Sequence, residues 1–422
     1  MSTLLDSLAS AFHNDSHSTR RQALDDARRD GLPDLHSETW KYTSLLALER
    51  RHFAPAPATA AAIDTTWLNT IPTPRLVFVN GRHSPILSNL SGLPQGITIQ
   101  PLSVTLADED ARLRFIGGRF KHRDETFARL NTALADEGML LRVDQDITVN
   151  TPVHLICITP AGETNYAWHL RHQIELHRGA SLQLVEHQLH TGHAAHLGNV
   201  LTRVHLAPGA YLEHARMQND APGTTSLLRT DAVLAHEAKY RRVDMELGAS
   251  LSRHELNVRL EGENARLIAN GILLGNLTRH LDTRLHIEHI ARHTACELLW
   301  RGIGTDRSRV VFHGGIHIHE GADGADARLS NKNLLLSANA EIDTQPVLVI
   351  NADEVQAAHG ATVGQLDQQA LFYLRTRGIP QATAQQLLST AFCHEPLTML
   401  DSTLANMLLT PLNHALDTTW MA

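Results

Sequence analysis

Leu170-Arg-His-Gln-Ile-Glu-Leu-His-Arg-Gly-Ala180 holds the pattern that decides the fold. Leu170, His172, Ile174 and Leu176 alternate with Arg171, Gln173, Glu175 and His177, the two-residue period of a strand, and Gly179-Ala180 then closes a small turn. The period recurs in Val200, Thr202, Val204 and Leu206 and in Leu256, Val258 and Leu260. The closing alanine recurs too: Gly209-Ala210, Glu237-Ala238, Asn264-Ala265 and Thr294-Ala295 follow at alanine spacings of 30, 28, 27 and 30. A unit of about 28 residues holding two strands is what a flattened β-solenoid needs, each coil covering the hydrophobic edge of the one before. An antiparallel sandwich with evenly spaced hairpins would also give regular turns. Two-residue Asn-Gly and Asp-Gly loops are scarce here, which favours the solenoid.

On both sides of this region the texture changes. Leu4, Leu5, Leu8 and Phe12 stand at helical spacing, residues 20–29 read as a charged helix ending before Gly31-Leu32-Pro33, and another helix is expected over 123–136. Residues 54–64 form an Ala/Pro linker, and Arg75-Leu-Val-Phe-Val-Asn-Gly-Arg82 is a strand entering a turn. Beyond residue 355 helix returns. Pro380 starts one helix, with Leu387, Leu388, Ala391 and Phe392 on a face that serves either internal packing or docking. Leu397, Leu400, Leu404, Met407 and Leu408 form a second face that stops before Pro411. The expected layout is a mainly helical segment 1–137, a β core 138–355 and a small helical subdomain 356–422, the last acting as an end cap or a docking surface.

Composition narrows the function. The chain has 422 residues, 42% of them hydrophobic, and a net charge of −8, which argues against a general nucleic-acid binder. Its start lacks the basic region of a signal peptide, and no apolar run is long enough to span a membrane, so the expected location is the cytoplasm. Cys157, Cys296 and Cys393 stand far apart, which excludes a self-contained four-cysteine cluster site and any disulfide framework. None of the four lysines follows the glycine of a Walker loop, so ATP chemistry would have to come from a partner.

The 28 histidines invite a metal reading. The adjacent pairs Glu186-His187, Glu213-His214, His254-Glu255 and Glu288-His289 point to opposite faces of a strand and cannot chelate together. His317 and His319 share a face but make only half a site. Most of the histidines are therefore expected on the surface. At the junction with the helices, His359 precedes Gly360 in a run that ends Phe372-Tyr-Leu-Arg375-Thr-Arg377-Gly-Ile379. Its imidazole can ligate a soft or borderline metal. Alternatively, Gly360 and Gly364 shape the turn that leaves the β region and His359 caps it.

His-Gly-Ala-Thr-Val-Gly at 359–364 with Phe-Tyr-Leu-Arg-Thr-Arg-Gly-Ile at 372–379 resembles the signature of the SufB/SufD iron–sulfur cluster assembly family. Leu334-Leu-Leu336 with Ala340-Glu-Ile-Asp343-Thr-Gln-Pro346 resembles the segment that precedes it. Gly31-Leu-Pro33 with Glu38-Thr-Trp40-Lys41-Tyr42-Thr43 resembles the N-terminal motif of the SufD branch.

The resemblance implies a mainly β fold, a right-handed parallel β-helix flanked by an N-terminal helical domain and a small C-terminal helical subdomain. It implies a non-enzymatic scaffold that pairs with SufB through the end of the β-helix and docks the SufC ATPase through its C-terminal helices; a homodimer is possible in isolation. By the same resemblance, His359 faces a SufB cysteine where a nascent iron–sulfur cluster forms, ATP is bound by SufC, and Phe372, Tyr373, Arg375 and Arg377 are candidate partner-binding residues. Some family members carry a cysteine two residues before the histidine, where this chain has Ala357, leaving His359 as its one candidate ligand. Two other readings are a β-solenoid enzyme acting on polysaccharide and a homodimeric interaction protein without a metal role. The first would need clustered acidic residues, and here these are scattered.

Overall fold

Each alternating segment becomes one strand of a parallel β-helix. The computed structural model describes residues 3–12, 18–34, 36–57, 63–105 and 125–421. It is a solenoid of about eight turns. Successive strands alternate between two ten-stranded sheets. The first sheet takes Tyr166–Leu176, Leu197–Leu206, Thr225–Leu234, Leu251–Leu260, His280–His289, Arg309–Ile318 and Glu341–Ile350. The second takes Thr148–Thr159, Ser181–His190, Tyr211–Asn219, Lys239–Glu246, Arg266–Gly275, Ala295–Gly304, Asp326–Leu335 and Gln356–Gly364. Alternate residues face the lumen, so Leu170, Ile174, Leu176, Leu182, Leu184, Val204 and Leu206 merge into one buried cluster.

The repeated turn has a steric cause. Gly179, Gly209, Glu237, Asn264 and His293 all adopt positive φ, between 56° and 71°, and the small residue that follows each is wholly buried. In the fifth turn that residue is Thr294, one place before the expected Ala295; the ladder sets Ala295 beside Arg266 instead. Thr294 replaces alanine because its hydroxyl is satisfied by His289 Nδ1 at 2.8 Å.

Helices cover the outer faces. Thr3–Ala9, Ser18–Asp30 and Thr126–Leu134 occupy the three expected places and pack Leu4, Leu8, Leu24, Phe127 and Leu130 with Ala167, Leu197 and Leu227 of the first sheet. Residues 123 and 124 of the third expected helix and 58–62 of the linker lie outside the described residues. Arg75–Val79 turns through Asn80-Gly81 into Arg82–His83 and also pairs parallel with Thr148–Thr159. Ile97–Pro101 pairs antiparallel with Met139–Val143. Residues before 137 thus supply strands as well as helices.

On the second sheet, Gln381–His394, the short Glu395–Met399 helix and Ser402–Met421 set Leu397, Leu404, Leu408, Leu412 and Leu416 against Val185, Ala215, Val243, Ile272 and Ile303. Arg301 donates to Glu395 at 2.7 Å, and Asn270 to the Pro396 carbonyl at 2.9 Å, fastening this layer. Two expectations change. These helices lie along the sheet rather than capping the solenoid. The last helix also runs through Pro411, because wholly buried Leu412 and Leu416 outweigh the lost backbone hydrogen bond. The strand Gln356–Gly364 extends the solenoid past residue 355, where the core was expected to end.

Candidate functional site

The uncapped end of the solenoid brings the sequence motifs together. Among the described residues Gln356–Gly364, the terminal strand, pairs only with Asp326–Leu335, in a register that sets His359 beside Leu329. Following the ladder inward, the same position is held by Leu298, Ala269, Arg242, His214 and Leu184. His359 thus occupies a lumen-facing position in a coil that no further coil covers among the described residues, and it is exposed where Leu298 and Leu329 are buried. Gly360 and Gly364 lie within this strand rather than in a turn, with open space around each.

Around His359 the end is apolar and only half covered. Val349, Ile350 and Val363 are each close to half exposed, while Ile342, Leu348, Val355 and Ala357 rest partly buried on the core. Among the described residues both terminal strands, Glu341–Ile350 and Gln356–Gly364, leave one edge without a strand neighbour. Such an edge and exposed apolar surface are ready to meet another protein.

The terminal strand leads directly into the helix Gln368–Thr376. Asp367 caps it, accepting from the backbone N–H groups of Gln369 at 2.8 Å and Ala370 at 3.3 Å, and Gly378 follows with φ of 83°. Leu371 is buried on the scaffold, whereas Phe372, Tyr373, Arg375 and Arg377 all face solvent. The Arg377 guanidinium lies 5.3 Å from the Tyr373 ring centroid. An aromatic pair with two arginines is the composition of a binding hot spot. Leu388 and Phe392 pack into the helical layer and Leu387 points outward, so the alternatives of packing and docking divide between neighbouring residues.

Some of the histidines depart from the expected surface placement. His154, His169, His172, His187, His196, His214, His254 and His289 are buried, not on the surface. Burial pushes His154, His169, His172, His196 and His289 down to about 4 and, with His154 beside it, His187 to about 3. Neutral rings then serve as structural partners. Met139 N–H donates to His172 Nδ1 and Tyr166 N–H to His196 Nδ1, both at 3.0 Å. His214 and His254 belong to a charged girdle in the lumen. Arg216 holds Asp244 at 2.7 Å and also bonds Glu246, Arg242 holds Asp244 at 2.8 Å and Tyr240 at 2.8 Å, and Ser252 donates to Glu246 at 2.6 Å.

Cys296 and Cys393 are buried, their thiols pushed up to about 12 by burial. The rings of His317 and His319 stack at 3.9 Å, and Asn351 donates to His317 at 2.9 Å. Among the described residues no group of three His, Cys, Asp or Glu side chains is arranged to hold a metal ion. No helix among them is long and apolar enough to cross a membrane.

The described residues thus form an open-ended β-helix with outer helical layers and a histidine on its end coil. The chain matches the SUF system FeS cluster assembly SufBD core domain over residues 158–392 and the SufBD protein N-terminal region over residues 4–155, and it belongs to the SufBD family of iron–sulfur cluster assembly proteins. It is 32% identical over 385 residues to the iron–sulfur cluster assembly protein SufD of Escherichia coli K12, covering 89% of this chain and 87% of that protein. It is 30% identical over 379 residues to an iron–sulfur cluster assembly SufBD family protein of Synechocystis, covering 87% and 83%. SufB of Bacillus subtilis is 26% identical over 278 residues, 65% of this chain and 59% of that one.

Proposed function

We propose that this chain is the SufD-type, non-catalytic subunit of a cluster-assembly complex, pairing with a SufB-like chain through the open end of its β-helix and docking a SufC-type ATPase on the helix that bears Phe372 and Tyr373. The observation that carries the reading is the exposure of His359 at a position buried in every earlier coil of the body. A partner seated on that end would cover the apolar rim and enclose the imidazole. A neutral imidazole is a borderline ligand for iron, so His359 can donate one bond to a nascent cluster whose sulfur ligands come from the partner. The cluster is cargo; ATP is bound and hydrolysed by the ATPase.

The two surfaces are joined by a short connection. Only Gln365, Leu366 and Asp367 separate the terminal strand from the helix, so movement of the ATPase acts directly on the strand that carries His359. The decisive experiment is His359→Ala in the reconstituted three-component complex. Assembly and ATP hydrolysis should persist while cluster formation falls; normal cluster formation by this variant would refute the assignment of His359. A chain that recovers neither a SufB-like partner nor an ABC-type ATPase from cells would refute the subunit reading as a whole.

A further inference from the structure

Three lumen side chains near the open end are polar where the surrounding core is apolar. Asn331 is wholly buried and Asn333 only 2% exposed, at a level lined by Leu329, Phe312 and Ile316. Polar amides in such a place are costly unless their bonds are made. Here they are made to the two terminal strands. Asn333 Nδ2 donates to Asn331 Oδ1 at 2.6 Å and to the backbone carbonyl of Thr362, in the terminal strand, at 3.1 Å. Thr344, in the adjoining strand Glu341–Ile350, donates its hydroxyl to Asn331 Oδ1 at 2.7 Å. Gly302 in the coil beneath leaves room for the amide, since a Cβ there would come within 2.2 Å of Asn333 Oδ1.

The placement gives these bonds unusual leverage. Every inner strand is held by a neighbour on each side, but the terminal strand has one. Among the described residues, the Asn333 bond is the one side-chain hydrogen bond that reaches it. Thr362 lies between His359 and the helix of Phe372, so the bond sits on the path between the two proposed partner surfaces.

We propose that Asn331, Asn333 and Thr344 form a latch that sets how readily the two terminal strands leave the body of the solenoid, and so position His359 for the partner. The inference rests on the reading of the open end as the partner interface. The latch acts without touching the partner. Loosening it frees the last coil while the lower coils stay closed, because in a solenoid each coil depends only on its neighbours.

Hydrogen exchange of the full chain, read by mass spectrometry, tests this in two stages. In Asn333→Ala, exchange within 356–364 should rise about tenfold while 181–304 stays unchanged. Asn333→Asp, which keeps the shape but cannot donate to the Thr362 carbonyl, should match it. Thr344→Val, nearly isosteric, should raise exchange in 341–350 about threefold and serves if the Asn333 variants do not fold. Unchanged exchange in 356–364, or a uniform rise along the chain, overturns the latch. The second stage measures association of the same variants with a SufB-like partner, expected to weaken. Faster local exchange with unaltered association would overturn the role of the latch in positioning His359, whereas failure of the unaltered chain to bind the SufB-like partner would overturn the interface reading.

Discussion

His359 and Leu329 are neighbours across the second sheet at the same lumen-facing position of successive coils, and one is open to solvent while the other is 4% exposed. The difference lies in what stands beyond each residue. Leu329→Ala should cost about 2–4 kcal/mol, the usual range for a core leucine, and His359→Ala within about 0.5 kcal/mol. Urea unfolding of the isolated chain measures both. Equal losses would mean that the end coil is covered in solution.

Trp300 lies over Gly271 so closely that a Cβ on the glycine would fall 2.1 Å from Trp300 Nε1. Gly271→Ala should therefore destabilise by about 2 kcal/mol or more through overpacking. Combined with Trp300→Leu, the two losses should fall short of their sum, because the smaller side chain makes room. A double-mutant cycle on denaturation midpoints gives the coupling; simple additivity would contradict the contact.

Acid should weaken the fold before carboxylates protonate. His154, His169, His172, His196 and His289 titrate at about 4 when folded and His187 at about 3, against about 6.5 when unfolded. Between those values the unfolded chain binds more protons, so their contribution to stability is full above pH 6.5 and declines as pH falls toward 4. Against the cost of burial, His214 and Arg216 hold the Glu186 carboxyl down to about 2; its contribution is lost only below about pH 4.5. A urea midpoint that stays flat from pH 7 to pH 5 would contradict the burial of these rings.

Asp244 accepts from both Arg216 and Arg242 in the lumen, and these guanidinium groups hold its carboxyl well below the usual range despite burial. Asp244→Asn leaves two buried cations short of a counter-charge and should cost about 3–5 kcal/mol. Differential scanning calorimetry would show the loss as a lowered Tm of the main transition.

Phe372 is 70% exposed and Tyr373 58%, so replacing both with alanine should leave folding unchanged. If this helix docks the ATPase, the same change should weaken that association at least about tenfold. Surface plasmon resonance with purified ATPase decides; unaltered affinity would move the docking face elsewhere.

The repeat was legible because strand alternation and turn sterics are local: Leu170–Ala180 contains a strand and its turn. Burial of His214 and Arg242 was not, since each is a polar residue at a position that leucine or alanine holds in other coils. The ion pairs of Arg216 with Asp244 and Glu246, which join two strands, together with that of Arg242 with Asp244, make the lumen tolerable there. Motif resemblance singled out His359, but its exposure depends on the coil that does not follow. The apolar faces of the C-terminal helices were readable, whereas their seat on the second sheet depends on outward residues such as Val185 and Ile272, far away in the chain.

The open end also has a consequence for supply. A chain growing from its N-terminus completes its lower coils first, and the rim of Val349, Ile350 and Val363 comes last. While uncovered, that rim is adhesive apolar surface beside unpaired strand edges. Under the proposed pairing, production in excess of the partner would leave such rims uncovered, which would tie the yield of competent subunits to the ratio in which the two chains are made.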